Sequence, residues 1–175
     1  MKTLILGGVR SGKSRLAERL AAASGQPVTY IATARTGDDA EFTARIAAHR
    51  ARRPADWTLV EEPVALAAAL QAHAHAERCL LVECLTLWLT NLLVADDAAA
   101  LDREQAALLA ALPALPGTLI LVGNETGMGI VPLGELTRRY CDAVGRLHQD
   151  LAARCERVLL TVAGLPLALK GGNLP

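Results

Sequence analysis

Eight residues near the start of the chain have the types and spacing for a definite chemistry: Gly7-Gly8-Val9-Arg10-Ser11-Gly12-Lys13-Ser14. They fit the phosphate-binding pattern G-x-x-x-x-G-K-[ST], in which every fixed position has a physical task. Glycines let the backbone curl until successive N–H groups point into one concavity, a nest for phosphate oxygens. Lys13 supplies a cation for the β- and γ-phosphates and is expected to stand exposed, awaiting them. The hydroxyl of Ser14 can join the shell of a Mg²⁺ ion. The pattern is short enough to arise by chance, so its setting decides. Residues 3–6 before it read as a short buried strand. Residues 14–23 after it read as a helix with Leu16, Ala17, Leu20 and Ala21 on one face. Strand, glycine loop and helix in that order aim a helix N-terminus at an anion. The segment predicts binding of a nucleoside triphosphate.

Three further clusters could serve such a ligand. Residues 79–82 are an apolar strand ending abruptly in Glu83, where proteins with a phosphate loop place the acid that orients Mg²⁺, partly through water. The alternative is an edge carboxylate facing solvent. A second strand, residues 28–33, runs into Ala32-Thr33-Ala34-Arg35. Ligands of open parallel sheets bind outside the carboxyl ends of the strands, so Ala32, Thr33 and Ala34 are either a nucleotide wall or a surface turn. In the third cluster, Phe42, Arg45, Ile46 and His49 share one face of a helix expected over residues 38–52. Arg50, Arg52 and Arg53 follow before Pro54. This admits a packed histidine with solvated arginines, or a neutral imidazole nucleophile set among guanidinium groups that pair with polyphosphate.

The elements that must position these groups alternate. After the helix over 38–52 come a strand at 57–61, a helix at 64–77 and the strand ending at Glu83. Helices at 85–95 and 97–112 follow, then a strand at 118–122 and a glycine-rich turn, residues 123–132. A long helix at 134–154 and a strand at 157–162 complete the pattern, and the tail after Gly164 shows little periodicity. The alternation predicts an α/β fold with a mostly parallel sheet flanked by helices. With 175 residues, no repeat and no long linker, one domain over 1–175 is expected. His73 and His75 lie two apart on a helix and do not face each other, which argues against a metal pair. Zero net charge argues against nucleic acid as a partner. Four cysteines without a C-x-x-C pair suggest a reducing compartment. No secretory leader is legible, and the apolar stretch 84–95 is too short to span a bilayer and contains Asn91, so a cytoplasmic protein without membrane insertion is expected.

Over nearly its whole length the sequence resembles one family, the bifunctional adenosylcobinamide kinase/adenosylcobinamide-phosphate guanylyltransferases of cobalamin biosynthesis. The likeness rests on residues 7–14, on Tyr30-Ile31-Ala32-Thr33-Ala34 and on Arg45-Ile46-Ala47-Ala48-His49-Arg50-Ala51-Arg52-Arg53-Pro54. It continues in Trp57 with Glu61-Glu62-Pro63, Glu83-Cys84-Leu85-Thr86 and Thr90-Asn91-Leu92. Its last part is Asn124-Glu125-Thr126-Gly127-Met128-Gly129-Ile130-Val131-Pro132. The resemblance implies an α/β fold of P-loop NTPase type in three layers, adenosylcobinamide and adenosylcobinamide phosphate as substrates, ATP and GTP as donors, and Mg²⁺. It implies that GTP gives GMP to the histidine matching His49, that Glu62 or its neighbour Glu61 is among the residues at the nucleotide, and that the chain assembles as a homotrimer. Many relatives have Asp where this chain has Glu83, and often a second histidine where it has Ala48. Without the resemblance, a single-function small-molecule kinase or a nucleotide-dependent switch would fit the phosphate loop as well.

Overall fold

The computed structural model describes residues 1–35, 54–95 and 97–172. The helix expected over 38–52 lies outside the described residues, and with it His49, Arg50, Arg52 and Arg53. Seven strands form one sheet in the order β3-β2-β4-β5-β1-β6-β7. They are β1 (Lys2–Gly7), β2 (Val28–Ala32), β3 (Thr58–Glu61), β4 (Cys79–Glu83), β5 (Thr118–Asn124), β6 (Arg157–Val162) and β7 (Leu165–Lys170). The first six run parallel, and β7 returns antiparallel to β6.

The central strands are near-continuous apolar runs because parallel strands are covered on both faces. Alternate residues divide between two cores. Ile5, Val28, Tyr30, Cys79, Leu81, Ile120, Val122 and Leu159 pack with Leu16, Ala17 and Ala21 of α1 (Lys13–Ala23). Their neighbours Leu4, Leu6, Ile31, Leu80, Val82, Leu119, Leu121 and Val158 face the other way. There they meet α2 (Leu66–His73), α3 (Leu85–Leu93), α4 (Ala100–Ala111) and α5 (Glu135–Arg154). The result is the expected layered α/β architecture.

Among the boundaries that differ from the sequence reading, three have a clear local reason. Glu62 Oε1 accepts the N–H groups of Val64 and Ala65, both at 2.8 Å, so α2 starts later than expected. It ends at His73, with Ala74 extended and a turn bonding the Arg78 N–H to the His75 carbonyl before β4. The strand over 118–122 runs on to Asn124, because Gly123 and Asn124 still pair with Leu6 and Gly7.

Strand β7 was not foreseen at all. Its apolar residues alternate with Pro166 and Ala168 in place of charged residues, which hides the period of two. The legible signal was Ala163-Gly164, the two-residue turn between β6 and β7, with φ of 51° and 81°. A positive φ at both positions is the turn geometry whose twist matches a hairpin.

Trp88 is fully buried under the sheet, and its indole Nε1–H donates to the Val64 carbonyl at 2.8 Å. Trp88→Ala is expected to lower the unfolding free energy by about 3–5 kcal/mol through the cavity it leaves. Trp88→Phe should cost less, about 1–3 kcal/mol, from the lost indole bond and the smaller ring, since the Val64 carbonyl keeps the Leu66 N–H as a donor at 2.9 Å. Urea titration of both variants checks the order.

Candidate active site

The carboxyl ends of β2, β4, β5 and β1 lie side by side and end in Ala32, Glu83, Asn124 and Gly7. The chain leaves β1 at Gly7 and curls through 8–12 before α1 begins. A Cβ on Gly7 would stand 2.5 Å from Ser11 Oγ and 2.6 Å from the Thr161 carbonyl, so backbone meets backbone there. Gly12 has φ +94°, and a Cβ on it would lie 3.1 Å from Gly164 Cα. The loop is held by Ser11 N–H to Gly8 O at 3.2 Å and by Gly164 N–H to Ser11 O at 2.8 Å. The turn of the unforeseen hairpin therefore clasps the phosphate loop from below.

Lys13 is not the exposed cation expected from the sequence. It is only 9% exposed, because α1 begins against the loop and covers the aliphatic stem. Its Nζ donates to the Gly8 carbonyl at 3.0 Å. Ser14, one residue on, donates its hydroxyl to Glu83 Oε1, and Tyr30 OH reaches Glu83 Oε2 at 3.5 Å. The two groups expected to orient Mg²⁺ thus touch, the first turn of α1 against the tip of β4. A hydroxyl and a carboxylate are the hard oxygen donors that Mg²⁺ takes, so the pair fits that ion.

Thr33 uses its hydroxyl inside the protein. Oγ1 donates to the Cys84 carbonyl at 2.7 Å and accepts from the Cys84 N–H at 2.9 Å, locking the end of β2 to the residue after Glu83. Asn91 Nδ2, buried in α3, donates to Thr33 O at 2.8 Å and Pro63 O at 3.0 Å. This joins the turn after β2 to the one after β3. Glu62 spends one carboxylate oxygen on the Val64 and Ala65 N–H groups just ahead of α2.

On the other side of Glu83, Thr86 Oγ1 accepts the Asn124 N–H at 2.9 Å, and the Glu125 N–H donates to Gly7 O at 3.0 Å. Glu125 Oε1 accepts from Gly127 N–H at 2.7 Å while Oε2 lies 3.8 Å from Nδ1 of the buried His148. Burial also raises the pKa of the Cys84 thiol, which keeps it protonated beside the site.

Asn91, Thr86 and His148 were not singled out for these roles. For Asn91 the signal existed: the one amide in a helix otherwise made of apolar residues and two threonines needs buried partners. His148 falls on the apolar face of α5 with Val144, Leu147 and Leu151, where a histidine reads as ordinary core.

Residues 3–169 match the family described as cobinamide kinase / cobinamide phosphate guanyltransferase. The chain is 67% identical to the bifunctional adenosylcobalamin biosynthesis protein CobP of Pseudomonas aeruginosa, over 99% of its own length and 100% of the relative's. It is 40% identical to the corresponding protein, CobU, of Escherichia coli K12, over 97% of the chain and the whole of the relative. Among solved structures it is similar to the RadB recombinase, with TM-score 0.51 and 18% identity, covering 91% of this chain and 73% of that one. A Pyrococcus horikoshii OT3 protein, PH0250, gives TM-score 0.54 at 9% identity over 98% and 87%. At such identities the two structures speak for the fold alone, a P-loop NTPase architecture.

His148 also sets a pH dependence. Burial lowers its pKa below the ordinary 6.5, and the nearby Glu125 carboxylate only partly offsets that. As pH falls through about 6.5 the unfolded chain takes up a proton that the folded one refuses, so stability drops until the folded-state pKa is passed. Thermal unfolding between pH 7.5 and 5 should show this loss in the parent chain, and a smaller one in His148→Asn.

Proposed function

As a member of the cobinamide kinase / cobinamide phosphate guanyltransferase family, to which it belongs, this chain is a bifunctional kinase and guanylyltransferase of adenosylcobalamin biosynthesis, and we propose how its residues divide the work. In the kinase half, Gly7, Gly8, Val9, Arg10, Ser11, Gly12, Lys13 and Ser14 hold the triphosphate of ATP or GTP. The hydroxyl oxygen of adenosylcobinamide's aminopropanol arm attacks the γ-phosphorus, and the bond to the β–γ bridging oxygen breaks. Little covalent work falls to the protein in such a transfer; it positions the groups and neutralises charge. Ser14 and Glu83 would hold Mg²⁺, partly through water, and the ion would supply charge neutralisation at the phosphates. The observation that carries this half is the bond from Ser14, in the first turn of α1, to Glu83 at the tip of β4.

In the guanylyl half, a ring nitrogen of His49 attacks the α-phosphorus of GTP, and pyrophosphate leaves. A phosphate oxygen of adenosylcobinamide phosphate then attacks the same phosphorus, the P–N bond breaks, and adenosylcobinamide-GDP forms. Two steps through a covalent intermediate replace one direct approach of two anions. Arg50, Arg52 and Arg53 pair with the phosphates, while Ala32, Thr33, Ala34 and Glu62 border the nucleotide. We place both activities in one domain, residues 1–175, working in the cytoplasm as a homotrimer. No helix of the described residues is long and apolar enough to cross a membrane.

Incubation with α-labelled GTP followed by denaturation is expected to leave label on the protein, labile to acid and stable to base as a P–N bond requires. His49→Asn should abolish that adduct and guanylyltransfer while keeping most of the phosphorylation of adenosylcobinamide. Acid-labile GMP on the His49→Asn protein would assign the nucleophile to another residue. Equal loss of both activities in a folded variant would favour a single-function kinase.

Lys13→Ala is expected to cost the kinase half about 2–4 kcal/mol of transition-state stabilisation, as for other electrostatic stabilisers. Initial rates with adenosylcobinamide measure it. Because Lys13 is largely buried, circular dichroism of the same sample must show the fold intact.

A further inference from the structure

The last residue of β5, Asn124, has no task in the scheme above, yet it stands at the centre of the site. We propose that Asn124 is a catalytic residue of phosphoryl transfer, its side-chain carboxamide bridging the acceptor hydroxyl and the γ-phosphoryl group. The inference rests on the phosphate-site reading just given and adds a residue to it.

Position comes first. Strand β5 lies between β4 and β1, and so between the strand that ends in Glu83 and the strand that feeds the phosphate loop. Asn124 is level with Gly7, and Val122 is level with Glu83. Asn124 therefore reaches one pleat beyond the carboxylate, over the space flanked by acid and loop.

Direction follows from the alternation. Ile120 and Val122 pack on the α1 face of the sheet, and Leu119 and Leu121 on the opposite face. Gly123 continues the second series, since a Cβ on it would stand 2.9 Å from His148 Nε2. Asn124 continues the first. Its side chain is on the face where α1 brings Lys13 and Ser14 to the sheet, the same face as Glu83.

Fixation is the third observation. The Asn124 N–H is held by Thr86 Oγ1 at 2.9 Å, and the next N–H by the Gly7 carbonyl at 3.0 Å. The Glu125 side chain is anchored to Gly127 N–H and lies beside His148. The strand tip is thus held from both sides by backbone and neighbours. The half-buried Asn124 carboxamide makes no hydrogen bond with the described residues.

The chemistry of that position favours a neutral group with both a donor and an acceptor. A carboxylate would repel the γ-phosphate, and Lys13 already brings a cation. An amide can donate from Nδ2 to a γ-phosphoryl oxygen and accept the hydroxyl hydrogen at Oδ1. The hydroxyl oxygen then forms its bond to the γ-phosphorus, and the nucleoside diphosphate leaves with the electron pair of the broken P–O bond. The proton passes to a phosphoryl oxygen and on to water, and the amide is unchanged. Attack on the α-phosphorus, two phosphates further along, does not involve this residue.

The test uses the full-length chain with Asn124→Asp, which keeps the side-chain shape, and Asn124→Ala. Three quantities are read: kcat for phosphorylation of adenosylcobinamide by ATP, Kd for a fluorescent ATP analogue, and label retained from α-labelled GTP. We expect kcat to fall about 100-fold in both, at least as far for Asp as for Ala, in line with the loss of one oriented donor. Kd should stay within about threefold and the label should be retained, on the order of an ordinary distant substitution. A kcat within about threefold of the parent in Asn124→Asp, below what one lost donor costs, overturns the proposal. So does a parallel loss of nucleotide affinity and retained label, which would make Asn124 part of nucleotide binding. A parent chain that fails to phosphorylate adenosylcobinamide overturns the functional reading itself, and is seen before any variant is compared.

Discussion

Contact of backbone with backbone at the phosphate loop is the constraint from which the rest of the site follows. Gly7 lies against Ser11 and the Thr161 carbonyl with no room for a side chain, and Gly12 lies tightly against Gly164 in a left-handed conformation. With the loop drawn this tightly against β6 and the hairpin turn, α1 has one place to start. That start puts Lys13 under the loop and Ser14 against the acid at the tip of β4. A looser loop would still bind anions, but it would not bring a hydroxyl of one strand–helix unit onto the carboxylate of another.

Holding the remaining tips in register falls to a few buried polar groups in apolar surroundings. Thr33 grips both backbone groups of Cys84, Asn91 bridges two turns, and Thr86 holds the end of β5. Each such bond adds modestly to stability, but an unmade one costs the full desolvation of its partners. The asymmetry makes them effective as locators. The apolar cores set how the layers stack, and these bonds set which strand end stands beside which.

The sequence was informative where one residue type does one job. The phosphate-loop pattern, the acid ending an apolar strand and the alternation of strands with helices could all be read directly, and in the structure Ser14 and Glu83 touch. Lys13 was misjudged because a charged side chain reads as exposed, whereas its long stem can be covered while its ammonium bonds to a carbonyl. Strand β7 escaped because Pro166 and Ala168 erase the polar half of the alternation, and only the Ala163-Gly164 turn marked it. The bridging roles of Thr33, Asn91 and Thr86 depend on partners dozens of residues away. No local period reports such pairings.

The place of β1 in the sheet bears on how the protein is made. This strand pairs on one side with β5 and on the other with β6, Leu4 lying opposite Leu121 and Val158. Translation therefore delivers the phosphate loop early and both strands that flank it late, with the clasping Gly164 later still. Until then the apolar β1 has neither neighbour, and its two edges are open to whatever else is present. Pairing across such distances closes slowly and leaves strand edges exposed meanwhile. The segment that defines the protein's chemistry is thus the one it must shelter longest during synthesis.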